Sequence, residues 1–154
     1  MRGNATVINA LNKVLTRKLT AVNQFFLHAR MYRNWGFSQL NKHVYHASIE
    51  EMKHADDIIE RVLLLDGLPN LQELGKLYIG ETPHEMLRLD DKLLTEDIRY
   101  IRDAISVCEE ERDFVSRQLL SELLQKQEDH QDWLDTQCCL IDTIGEASYL
   151  QQQL

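Results

Sequence analysis

Between Pro83 and Gly145 the chain contains neither proline nor glycine, and its 154 residues hold only two prolines and six glycines in all. These residue types interrupt helices, so their scarcity leaves room for long ones. Apolar residues then set the period. Ile8, Leu11, Leu15, Val22, Phe25 and Ala29 recur at intervals of three and four, which predicts a helix, α1, over about Thr6–Trp35. Gly36 ends it, and Ser38 is placed to cap a second helix, α2, over about Gln39–Asp66, with Gly67 as terminator. The stretch GLPNLQELGKLYIGETP reads as a long irregular connection. A third helix, α3, begins at Thr82-Pro83, with threonine as cap and proline in the first position, and continues to about Glu110. The fourth, α4, covers about Asp113–Thr143 and stops at Gly145; the tail EASYLQQQL suits a short fifth helix.

Loop length sets the path. Short α1–α2 and α3–α4 connections make two antiparallel hairpins, and the long α2–α3 connection crosses the bundle so that α2 and α3 run parallel. The expectation is all-α: one domain over residues 1–154, a four-helix bundle with one long crossover. Net charge of −8 disfavours nucleic-acid backbones as partners and suits a protein that handles cations. Cys108, Cys138 and Cys139 make a poor disulfide framework, which points to reduced thiols and a cytoplasmic location. The N-terminal MRGNATVINALNKVLTRK has no apolar run of the signal-peptide kind, and no stretch approaches the roughly 20 apolar residues of a membrane span.

Polar residues interrupt the stripes that should form the core. On α2 the stripe Val44, Ala47, Glu51, His54, Ile58, Val62, Leu65 carries Glu51-x-x-His54. On α4 the stripe Leu120, Leu123, Gln127, His130, Leu134, Ile141 carries Gln127-x-x-His130. On α1, Lys18 falls between Leu15 and Val22, whereas the α3 stripe Leu87, Leu94, Ile98, Ile101, Ile105 reads as clean. Buried charges are costly unless paired. One reading is a buried polar network. The other is a di-iron carboxylate centre, which takes one Glu from each of two helices and Glu-x-x-His from each of the other two. Stripe and level place its six ligands at positions 18, 51, 54, 94, 127 and 130, where this chain has Lys18, Glu51, His54, Leu94, Gln127 and His130. With one carboxylate left, an iron pair would leave a large uncompensated charge in the core. Lys18 can pair with Glu51 instead, giving an internally compensated Lys–Glu–Gln–His network. Glu51, His54 and His130 also form a two-His-one-carboxylate set suited to a single Fe(II) or Zn, although Lys18 weighs against it.

A second apolar line exists. Met52 lies about 100° around α2 from Glu51, on a line with Tyr45, Ile49, Ile59 and Leu63. Leu19 and Phe26, with Val22 at the edge, form its companion on α1. A helix apolar on two faces has two partners, its own bundle and another subunit or a cofactor. Met52 read alone is either a flexible interface filler or a soft thioether ligand.

NQFFLHARMYRNWG at 23–36, EEMKHADDIIERVL at 50–63, LDGLPNLQELGKLYIGE at 65–81 and the terminal YLQQQL together resemble the bacterioferritins, nearly end to end. The resemblance implies a ferritin-like bundle whose short fifth helix sits at the fourfold axes of a hollow 24-subunit cage. Such cages oxidise Fe(II) at an intra-subunit di-iron centre, store ferric mineral, and bind haem b at a twofold interface through one methionine from each subunit. That methionine falls on Met52, with Leu19, Asn23, Phe26 and Ile49 as pocket residues. Of the six ferroxidase positions only Glu51, His54 and His130 carry over. Some bacterioferritins mix two subunit types, and this sequence looks like the haem-bearing, ferroxidase-deficient type, whose partner is a ferroxidase-competent subunit. The function so implied is electron transfer through haem, from an iron–sulfur ferredoxin, that lets stored iron leave as Fe(II). Two alternatives stand beside it: a ferroxidase working with a degenerate ligand set, and a structural cage subunit without haem. His46 and Glu50 resemble an inner-surface iron site of some members, against a solvated pair. His28, His43 and His84 read as surface or packing residues, and Glu109–Glu111 with Arg112 as a solvated face or a pore lining.

Overall fold

The computed structural model describes residues 1–154. Its helices are α1 (Ala5–Asn34), α2 (Ser38–Leu64), α3 (Pro83–Glu110), α4 (Phe114–Ile144) and α5 (Glu146–Gln151). Asn4 caps α1 by accepting from the Thr6 and Val7 amides, Thr82 caps α3 through Glu85 N–H, and Asp113 caps α4 through Ser116 N–H. Ser38 is not a cap: Phe37 takes that position without a side-chain bond. The reason is the tight stop of α1, where Phe37 N–H bonds Tyr32 O and Gly36 N–H bonds Arg33 O around a left-handed Gly36. This six-to-one stop recurs after α2 and α3, with Asp66 and Arg112 as the left-handed residues. Gly67 therefore serves the stop of α2 by small size: a Cβ there would lie 2.8 Å from Ile8 Cγ2.

Side-chain pairs fix the directions. Arg17 bonds Asp97, Gln24 and His28 bond Asp90, and Tyr32 reaches Pro83, so α1 and α3 are antiparallel. Because α2 folds back on α1, it runs parallel to α3, as the long crossover requires. The apolar core comes in two halves. One is centred on Leu11, Leu15, Ile58, Ile101 and Leu120, the other on Phe25, Tyr32, Leu40, Leu87, Leu94 and Leu134. Burial of each such leucine contributes about 1.5–3 kcal/mol. Lys18, Glu51, Asp97 and Gln127, all buried, fall between the two halves along their helices.

The α3 stripe is not clean. Asp90 and Asp97 are fully buried, while Ile105 is only half-buried. The inward row runs 87, 90, 94, 97, 101, 104, 108, and a search for apolar residues alone passes over its two aspartates.

The crossover is fastened to α1 by a ladder of polar side chains. Asn12 Oδ1 accepts from Asn70 N–H, Thr20 Oγ1 from Gly75 N–H, Gln24 Oε1 from Tyr78 N–H and His28 Nε2 from Gly80 N–H, at 2.8–3.1 Å. A segment without regular structure thus satisfies backbone donors at the price of burying α1 side chains.

Candidate functional site

At mid-bundle the Lys18 ammonium stands 3.0 Å from Glu51 Oε2, both side chains shut off from solvent. Their contact is an ion pair without hydrogen-bond alignment. Gln127 Nε2 donates to Glu51 Oε1, and His54 Nδ1 is 3.7 Å from Glu51 Oε2. Burial pushes the Glu51 carboxyl up, but Lys18, His54 and Gln127 together outweigh it and hold its pKa down to about 2. The lysine expected to neutralise Glu51 therefore does so, and Gln127 contributes an amide donor where a carboxylate would repel.

The network extends to residues the sequence reading missed. Asp97 Oδ1 accepts from Arg17 Nε at 2.7 Å; Arg17 Nη2 is 3.0 Å from Glu96 Oε2; Tyr78 OH donates to Glu96 Oε1 at 2.7 Å. Burial raises the Asp97 carboxyl to about 7, against the pull of Lys18 and Arg17. Two cations, Lys18 and Arg17, thus face three carboxylates, one of them partly protonated near neutrality. Pairing of this kind makes buried charge tolerable. A sign of it was legible in the regular spacing of Asp90 and Asp97 within the α3 core row.

Gln127 Oε1, His54 Nδ1, Glu51 Oε2 and His130 Nε2 lack hydrogen-bond partners. Their residues line a pocket of about 280 Å³ between α2 and α4, whose wall also includes His43, His46, Glu50 and Asp129. That space is polar and roomy enough for water to reach them. His130 meets Phe25 edge-on at 5.1 Å between centroids, and burial lowers its pKa. His43 is stacked on Trp133 at 3.6 Å and 8°, and burial, then His130 and His46, lower its pKa to about 4. Leu94 is fully buried in the apolar half of the core that holds Phe25 and Leu134. The set Glu51, His54 and His130 does not close into a three-ligand metal site, and no three His, Cys, Asp or Glu side chains converge in that way anywhere in the chain. The cause is local: both Glu51 oxygens are engaged, one by Lys18 and one by Gln127.

His46 and Glu50 do stand together, Nε2 to Oε1 at 3.7 Å, but Lys53 approaches the same oxygen at 3.3 Å and His46 is largely exposed. The Lys53 hydrogen bond is the main cause that lowers the Glu50 pKa. Of the two readings of His28, surface or packing, the second holds: the ring is fully buried and bonded at both nitrogens.

Met52 is 54% exposed. Phe26 and Leu63 on the same outward face are exposed too, while Leu19, Tyr45, Ile49 and Ile59 are half-buried and Asn23 is exposed. Arg30 lies over the rings of Tyr45 and Phe26, at 4.5 and 5.3 Å from their centroids. Apart from Arg30, the chain leaves Met52, Phe26 and Leu63 on this face open to solvent. No helix is long and apolar enough to cross a membrane.

A protein-family model described as a ferritin-like domain matches residues 8–144, which with the single-crossover bundle defines the class. A bacterioferritin of Mycobacterium tuberculosis is 42% identical over 152 residues, 99% of this chain and 96% of the relative. Bacterial ferritins of Pseudomonas aeruginosa and Synechocystis sp. are 41% and 39% identical over 155 residues, covering this chain fully and 100% and 99% of theirs. The chain belongs to the bacterioferritin family within the ferritin-like proteins.

Proposed function

We propose that this chain is an iron-storage subunit of an oligomeric cage that holds haem b at a twofold contact through Met52 and supports electron transfer for release of stored iron, its own di-iron centre having been given up. The observation that carries the reading is the Met52 thioether, exposed on an apolar face that the chain leaves uncovered. A soft sulfur ligand flanked by Leu19, Phe26 and Ile49, with the Asn23 amide beside them, fits a flat apolar group ligated through its metal. Because one subunit offers one such sulfur, a second copy completes the pair. Haem supplies one-electron transfer when bound. Met52 would ligate it, the apolar side chains would exclude water, and the subunit wall would separate an external donor, an iron–sulfur ferredoxin, from iron held inside.

Support for the lost di-iron centre comes from charge. Iron pairs need several carboxylates, and the six positions 18, 51, 54, 94, 127 and 130 offer one, Glu51, already neutralised by Lys18, while Asp97 nearby is engaged by Arg17. They do not fit two divalent ions. Oxidation then falls to a ferroxidase-competent partner subunit in a mixed cage located in the cytoplasm.

The test is optical and kinetic. The purified protein should show a Soret band that Met52→Ala removes; an absent band in the parent would favour a structural subunit without haem. Given Fe(II) and oxygen, the chain on its own should show no fast oxidation phase. A fast phase abolished by His130→Ala would establish a ferroxidase with a degenerate ligand set.

A further inference from the structure

The last rung of the crossover ladder differs in kind from the others, because it is a histidine. Gly80 N–H donates to His28 Nε2 at 3.1 Å. A backbone amide can only donate, so Nε2 is the bare nitrogen of a neutral ring and the ring proton sits on Nδ1. That proton is directed at Asp90 Oδ1, 2.8 Å away. The same oxygen accepts from Gln24 Nε2 at 2.9 Å, and Gln24 Oε1 in turn holds the Tyr78 amide. One buried carboxylate therefore orients two side chains that pin alternate amides of the crossover.

We propose that His28 is a proton-operated latch on the end of the crossover that leads into α3. A second proton, on Nε2, sets a donor against the Gly80 amide, and the bond is replaced by a repulsive contact. The groups around the ring allow this state. From α3 comes Asp90, whose Oδ2 has no partner and which can serve as counter-ion to the imidazolium. On α1 the neighbours are uncharged Gln24 and Tyr32, whose hydroxyl is directed at the Pro83 carbonyl. From α4, His130 lies within electrostatic reach of Asp90. The crossover offers only the Gly80 amide. Nor can Gly80 press closer to α3, since a Cβ there would already lie 2.8 Å from Met86 N. Relief therefore comes by moving the segment away from α1. That segment carries Leu68, Leu71, Leu74, Leu77 and Ile79 outward, so the latch governs how rigidly this apolar ridge is presented. The inference holds whether or not haem binds.

Hydrogen–deuterium exchange with mass spectrometry on the full assembled protein tests it, at about pH 7.5 and about pH 5.0, each corrected for intrinsic exchange. Peptides spanning Tyr78–Gly80 should lose about fivefold protection on acidification, the factor equivalent to one ordinary hydrogen bond, while the α1 and α4 cores keep theirs. His28→Gln, whose amide oxygen can accept from Gly80 but takes up no proton, should remove the pH effect. Unchanged protection in the parent, or an equal acid loss in His28→Gln, would overturn the proposal. Nitrogen NMR of labelled histidine gives an independent reading should that variant fold poorly: a ring that stays singly protonated on Nδ1 at the lower pH also overturns it.

Discussion

Lys18 shows how one side chain can decide what the centre of a bundle does. Fully buried, its ammonium stands against the Glu51 carboxylate, and each buried charge would be expensive alone. Lys18→Met is therefore expected to cost about 3–5 kcal/mol in denaturant unfolding, and adding Glu51→Gln should recover most of it. If Lys18→Met were as stable as the parent, Lys18 and Glu51 would not be a mutually compensating pair. The acid limb carries the same signature. Glu51 is held at about 2, below the ordinary carboxylate range, so its stabilisation is present above that range and lost as pH falls towards 2. Glu51→Gln should flatten this part of a melting-temperature profile. The sequence made Lys18, Glu51 and Gln127 legible because each breaks an apolar stripe. It did not disclose that Arg17 and Asp97 join them: Arg17 is adjacent to the stripe, and arginine is ordinarily assigned to a surface.

At the scale of elements, α2 and α4 are tied by the His43–Trp133 stack, and α1 and the crossover by the polar ladder. His43 is kept neutral, its pKa lowered to about 4 by burial and neighbouring histidines. A depressed histidine favours folding above its unfolded pKa, and that contribution is lost as pH falls through about 4. His43→Phe keeps a ring against Trp133 but cannot take a proton. Its melting temperature should fall less than the parent's between neutral pH and 4, and parallel profiles would count against the assignment. The ladder makes a separate prediction. Gln24→Leu leaves the Tyr78 amide without its acceptor and should destabilise by about 1–3 kcal/mol, with faster amide exchange confined to the crossover. Helix positions, the crossover and the fifth helix were all readable from breakers and period. The ladder was not, because a segment without periodicity gives no sign of which helix its amides will meet, and glutamine or histidine in a helix looks like a solvated residue until the partner is seen.

On the scale of the whole molecule, the feature left unbalanced is apolar surface. Met52, Phe26 and Leu63 on one face, and Leu68, Leu71 and Leu74 along the crossover, are each about half exposed or more. An uncovered apolar face of this extent marks an interaction site, and membership of a cage-forming family makes a second copy the natural cover. Phe26→Asp with Leu63→Asp puts two charges on the outer face while leaving both halves of the core untouched, since neither residue belongs to them. The variant should keep its helical circular dichroism and sediment as a smaller species than the parent. If haem is held as proposed, the variant should lose it as well, although every chain still carries Met52, because the proposed ligand pair would exist only where two subunits meet. A variant that dissociates yet keeps a full Soret band would place the cofactor within one chain and remove the twofold contact from the proposal; one that stays assembled would show that this face is not what holds the cage together.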